Sequence, residues 1–327
     1  MTGKRGGFKA PSLKNRSSAL KRVLDYTFYV AVIAAIIYHM VSVVYPLQSN
    51  IEHLNSHLAF SLLLVFLAAL RKAPKRWFVL VPLILLTVAI TGYVKVFYWD
   101  IEAHFGIRTT VELVTAILLI VLVIEGCRQA MGNVVPIVAL IFIVYIFFGS
   151  YLPRGPFHIA KIDPVEIINM LTYQFSGGAI YGQLLEVSAY FVIIFTIMGG
   201  VMQITAAPIL IRNLGLIVGR RLRGGPALMC IVGSSLVGMV TGAATPNIIV
   251  VGSFTIPLMK KVGYAPKEAA AIEAAASNGG QIMPPVMGAA AFVMAMVTGI
   301  SYVTIMAAAL IPALLYFLSL GMYCQLL

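Results

Sequence analysis

The chain has 327 residues, 61% of them hydrophobic and only 10% charged, against about 25% charged in a soluble domain. That composition excludes a soluble globular enzyme. With 28 Gly and 16 Pro scattered through apolar runs, it points instead to an all-α polytopic membrane protein whose helices are broken in places.

The net charge of +12 lies in short clusters between apolar runs, the distribution of cytoplasmic loops rather than of a nucleic-acid-binding face. Residues 1–25 form a basic arm carrying Lys4, Arg5, Lys9, Lys14, Arg16, Lys21 and Arg22. The apolar run that follows is too long for a signal-peptide core, so no cleavable signal is read and the run stays as the first span. Apolar segments of spanning length run over 26–47, 51–70, 77–98, 111–131, 133–152 and 183–204. With the N-terminus in the cytoplasm, Arg71, Lys72, Lys75, Arg76 and Arg128 fall inside, and Asp100, Glu102, Asp163 and Glu166 fall outside. Counted over the whole chain, nineteen basic residues are then cytoplasmic, against Lys95, Arg108, Arg154 and Lys161 outside.

Residues 206–223 combine apolar residues with Arg212, Arg220, Arg221 and Arg223 and read as an interfacial helix. Beyond it, residues 226–261 are bounded by basic residues at both ends and interrupted at Thr241, Gly242, Pro246 and Asn247. Each arm is too short to cross a hydrocarbon core of about 30 Å at 1.5 Å per residue, so the stretch reads as a re-entrant helical hairpin, with a pair of short spans as the alternative. Residues 266–299 read as a helix broken at Ser277-Asn278-Gly279-Gly280, with Pro284-Pro285 close behind, and 302–323 as a last span.

Backbone that leaves helical geometry at membrane depth survives only inside protein or beside a water-filled site. The hairpin tip and the helix break together offer free carbonyls, the hydroxyls of Thr241 and Ser277 and the amide oxygens of Asn247 and Asn278. These are hard, mostly neutral ligands suited to an alkali cation, in an ion-coupled secondary transporter. Close packing of small residues is the alternative, preferred for the isolated Gly238 and Gly252. Glu273 reads either as a carboxylate beside an ion path or as a snorkelling or internally paired one. Glu125 and Arg128 read as a local pair, Glu112 and Glu186 as solvated interface carboxylates, and His39 as a lone packing or interface histidine. Cys127, Cys230 and Cys324 show no metal-type spacing and read as packing residues. There is no Walker loop, catalytic triad or metal-ligand spacing, so the chain reads as no enzyme and needs no resident cofactor.

The stretch 219–295 contains RLRGGPA, GSFTIPLMKKVGY and GGQIMPPVMGAAAF. It resembles the large membrane subunit of tripartite ATP-independent periplasmic (TRAP) transporters, and more closely the fused permeases of the TAXI branch. The resemblance implies a sodium-driven, elevator-type importer of organic acids or amino acids in the bacterial or archaeal cytoplasmic membrane, served by a periplasmic substrate-binding protein. It further implies that residues 26–130 are a small-subunit-like scaffold domain of about four spans and 131–327 the first repeat of the transport domain. Carried over position by position, the implied sodium site comprises Thr241, Gly242, Asn247, Ser277, Gly279 and Gly280, with Asn278 as a further oxygen ligand. Ala243, Pro246, Val250 and Asn278 depart from the small, hydroxyl or Thr residues usual in the family. One hairpin and one broken helix are visible where two of each are expected. A second chain carrying the C-terminal repeat is therefore expected as a partner, and a truncated, non-transporting membrane subunit is the alternative. A cation channel is a third possibility, without support in the residues.

Overall fold

A computed structural model describes residues 13–45, 48–104, 108–175, 180–205, 209–210, 213, 217 and 225–326. Most of the expected interfacial helix 206–223 lies outside the described residues. Among those that are described there is no strand, and seven helices are long and apolar enough to cross a bilayer. The protein is an all-α polytopic membrane protein. Its chain divides into two compact units, Met1–Leu185 and Glu186–Leu327.

The first unit contains α1 (Leu13–Val44), α2 (Asn50–Lys72), a 3-10 turn (Pro74–Arg76), α3 (Trp77–Ala103), α4 (Thr110–Met131), α5 (Val134–Phe148) and α6 (Pro164–Leu171). The helix starts follow from capping chemistry. Ser49 and Glu52 exchange bonds across the first turn of α2, as Thr109 and Glu112 do at α4, so that N–H groups left over at each terminus find acceptors. Pro164 sits in the first turn of α6, where no N–H is needed, behind the Asp163 cap. Helix α2 is central and packs against α1, α3 and α4. It accordingly carries three of the buried polar side chains of the unit, His53, Asn55 and His57. Helix α5, by contrast, exposes Val134, Ile137, Ile141 and Phe142, a surface suited to lipid tails.

Two expectations in this unit are corrected. His39 is not alone: its Nδ1 lies 2.7 Å from the Ala35 carbonyl and its Nε2 2.8 Å from His57 Nδ1. The carbonyl can only accept, so His39 carries a proton on Nδ1 and meets His57 through its other ring nitrogen. Glu112 is buried rather than solvated, held by His104 at 2.9 Å and by the Thr109 N–H at 2.9 Å. Thr109 is the N-cap of the same helix, whereas His104 comes from the end of α3, which the periodicity of α4 does not register. The Glu125–Arg128 pair forms as expected, at 2.7 Å.

The second unit begins within α7 (Gln183–Val187), continues through a π-helical turn (Ser188–Val192) into α8 (Ile193–Ile204), and resumes at α9 (Gly225–Thr241). After α9 come α10 (Ala244–Lys261), α11 (Pro266–Gly279), a 3-10 turn (Gly280–Ile282), α12 (Ala289–Thr298) and α13 (Tyr302–Leu326). Helices α9, α10 and α11 pack pairwise into a triangle whose core, closed by α13, comprises Ala227, Cys230, Ile231, Met259, Ile272, Ala276 and Phe317 among others. Helices α9 and α10 have 17 and 18 residues, or about 26 Å each, and form the hairpin.

The hairpin turn is tighter than the sequence reading placed it. Only Gly242 and Ala243 leave the helices, because Pro246 falls in the first turn of α10, where its missing N–H costs nothing. Gly242 adopts φ of +59°, and a Cβ there would collide with the Met287 carbonyl, so this position requires glycine. The second break also comes later than expected. Ser277, Asn278 and Gly279 remain helical, and the irregular backbone runs from Met283 to Gly288, where Pro284 and Pro285 supply no N–H to continue the ladder.

Candidate functional site

The site is built where α9, α10 and α11 meet. Gly238 on α9 faces Gly280, and a Cβ added to Gly280 would stand 2.8 Å from Gly238 Cα and 2.9 Å from Asn247 Nδ2. Two glycines thus allow the end of α11 to touch the hairpin backbone directly. Asn247, one turn into α10, is fully buried above this contact, and its Nδ2 donates to the Ser234 carbonyl at 2.8 Å. That bond fixes the orientation of the amide. Its Oδ1 accepts no hydrogen bond among the described residues.

Below Asn247 lies Glu273, 1% exposed and surrounded by donors from three helices. From α9, Cys230 Sγ reaches Oε2 at 3.0 Å and Ser234 Oγ reaches Oε1 at 3.4 Å. From α10, Thr255 Oγ1 lies 2.5 Å from Oε2, and from α11 itself Ser277 Oγ lies 3.0 Å from Oε1. Thr255 Oγ1 also lies 2.9 Å from the Val251 carbonyl, so its single proton faces two acceptors. Among the described residues no Lys, Arg or His forms an ion pair with Glu273; the pairs found are Asp25 with Arg71, Glu112 with His104 and Glu125 with Arg128.

Of the seven residues singled out from the sequence, three converge here: Asn247, Ser277 and Gly280. Thr241 and Gly242 lie at the hairpin tip, where the Thr241 hydroxyl donates back to the Val237 carbonyl at 3.0 Å and the Gly242 N–H to the Gly238 carbonyl at 2.9 Å. The chain after the break covers this tip, with the Val286 N–H donating to the Met239 carbonyl at 3.3 Å. Tyr302 on α13 secures that segment by donating to the Pro285 carbonyl at 2.8 Å and by a bond to the Val286 carbonyl. Gly279 faces Tyr316 and Phe317 of α13 instead of the hairpin. Asn278 is exposed, its side chain bonded to the Ala274 carbonyl at 2.9 Å, and it does not join the cluster.

Cys230, Ser234 and Thr255 were not singled out as site residues. A signal for Cys230 and Ser234 existed: like Glu273 with Ser277, they are an i, i+4 pair that puts two polar groups on one face of a helix. Among the described residues, no group of three His, Cys, Asp or Glu side chains is arranged to hold a metal ion.

The family model for the tripartite ATP-independent periplasmic transporter, DctM component, matches residues 116–327, which include the whole of this site. The chain belongs to the DctM family. The match also takes in the end of the first unit, starting inside α4. A DctM relationship is in keeping with the multi-pass architecture. The protein y4mL of Sinorhizobium fredii (strain NBRC 101917 / NGR234), described as uncharacterized, is 28% identical over 215 residues, covering 63% of this chain and 44% of that protein. The chain therefore spans less than half the length of that relative. No solved structure matches.

Proposed function

We propose that this DctM-family chain is a membrane permease component of a sodium-coupled, binding-protein-dependent secondary importer of organic acids or amino acids, of the TAXI type. In this proposal residues 26–130 act as scaffold and the later helices as the first repeat of an elevator-type transport domain. The N-terminus lies in the cytoplasm of a bacterial or archaeal cell, and a periplasmic substrate-binding protein delivers the substrate. A second repeat completes the substrate site, as the inverted-repeat construction of such transporters requires.

The observation that carries the sodium part is the Oδ1 of Asn247. A fully buried amide oxygen without a hydrogen-bond partner is costly, by about 1–3 kcal/mol, and a bound cation offsets that cost. A neutral oxygen near hydroxyls and close-approaching glycine backbone suits a hard monovalent cation. Binding of ²²Na⁺ to the purified protein, with and without the Asn247→Ala substitution, tests this. Loss of at least about tenfold in affinity is expected, since one ligand to an ion is worth more than 1.4 kcal/mol. Unchanged affinity in a folded variant would remove Asn247 from the site.

A further inference from the structure

The sodium reading leaves Glu273 unassigned. Its carboxyl group is 1% exposed, and the four groups around it, on Cys230, Ser234, Thr255 and Ser277, are all neutral. Neutral donors solvate an anion but leave its charge uncompensated, and an unpaired charge away from water costs several kcal/mol. No cation of the described chain pairs with it. A bond path of two links joins it to the candidate ion site: Ser234 offers its hydroxyl to Glu273 and its carbonyl to Asn247. Ser277, itself among the expected ligands, bonds the same carboxylate oxygen.

We infer that Glu273 is the counter-charge of the transported cation, acting through Ser234 and Ser277 without touching the ion. The inference rests on the sodium reading above. Direct ligation is disfavoured by the packing, because the four donors already lie at hydrogen-bond distance from both oxygens and Glu273 Cγ would stand 3.1 Å from a Cβ at Gly252. The arrangement makes ion affinity depend on a buried charge that the first layer of ligands lacks, and it makes Glu273 a positioning and electrostatic residue rather than a ligand. It also explains why α9, α10 and α11 each contribute a donor: the carboxylate holds the hairpin and the broken helix at one point, so that loading of the cation and closure of the three helices favour one another.

The substitution Glu273→Gln separates charge from shape. An amide nitrogen at the Oε2 position donates one hydrogen to Thr255 Oγ1, whose own proton turns from Glu273 to the Val251 carbonyl, and points the other at Cys230 Sγ, while the remaining oxygen still accepts from Ser277. The variant is therefore expected to fold. Sodium binding would be measured by ²²Na⁺ competition on the full chain for the wild type, Glu273→Gln, Glu273→Asp and Asn247→Ala, alongside the thermal midpoint of each without sodium. The expected result is at least about tenfold weaker sodium binding in Glu273→Gln at an unchanged sodium-free midpoint, with most of the affinity restored in Glu273→Asp. Wild-type affinity in Glu273→Gln, with Asn247→Ala weakened, would overturn the counter-charge role and leave the ion site standing. Loss in Glu273→Gln and Glu273→Asp alike, with lowered midpoints in both, would make Glu273 structural and equally overturn it. Unchanged binding in Asn247→Ala, or no sodium binding by the wild type, would overturn the site itself.

Discussion

Gly280 and Gly238 show how little room this site leaves at the level of single atoms. With Gly280 so placed that a Cβ would stand 2.8 Å from backbone and 2.9 Å from the Asn247 amide, Gly280→Ala forces α11 away from the hairpin. Overpacking of this kind costs about 1–3 kcal/mol. A lower unfolding midpoint in detergent is expected, together with weaker sodium binding, because Asn247 moves with the contact. Gly92 on α3 is the control. Nothing lies within 4 Å of a Cβ there, so Gly92→Ala should leave the unfolding free energy unchanged or raise it by up to about 1 kcal/mol. At this scale the sequence was legible where chemistry is local. Asn247 and Ser277 stand out because amide and hydroxyl groups are rare in apolar runs, and both are buried in the cluster. Asn278, next to Ser277, points elsewhere because successive residues on a helix are about 100° apart. Thr255 acquires its meaning only from Glu273, which reaches it from another helix.

Among the elements, the long spans were readable and the breaks were readable only approximately. Apolar runs of spanning length leave little choice in lipid, since every backbone group must be satisfied within the helix. The breaks are set by competition. At the hairpin, Pro246 is absorbed into a helix start, so the turn shrinks to Gly242 and Ala243; after α11, helical geometry persists through Gly279-Gly280 and yields only near Pro284. Glycine lowers helix stability by about 1 kcal/mol, whereas proline removes a bond and costs about 3. The segment after that break is held to the hairpin tip through Tyr302, which Tyr302→Phe releases. Faster amide hydrogen exchange over 283–289 is expected in that variant, with exchange in α9 little changed. In the first unit, Glu112→Ala removes both the capping partner of Thr109 and the acceptor for His104. A loss of about 1–2 kcal/mol in unfolding free energy is expected.

For the whole molecule, composition and charge gave the class, and the DctM match and seven candidate spans agree with it. The two compact units were less legible. Their division at Leu185/Glu186 reflects which helices bury one another, and α5 and α6 pack with α4 although nothing in their apolar runs announces it. The proposed orientation makes a direct prediction. In intact cells, a membrane-impermeant maleimide should label Arg154→Cys from outside and should reach Lys75→Cys only after permeabilisation.

The most direct measurement is uptake into proteoliposomes driven by an inward sodium gradient. Radiolabelled organic acids and amino acids would be tested with the protein, its cognate binding protein and the polypeptide bearing the second repeat, in parallel with Asn247→Ala. A sodium-coupled permease predicts uptake that requires the binding protein, collapses when potassium replaces sodium and falls at least about tenfold in the variant. Uptake indifferent to sodium, or no uptake by the complete mixture with the protein folded and inserted, would contradict it.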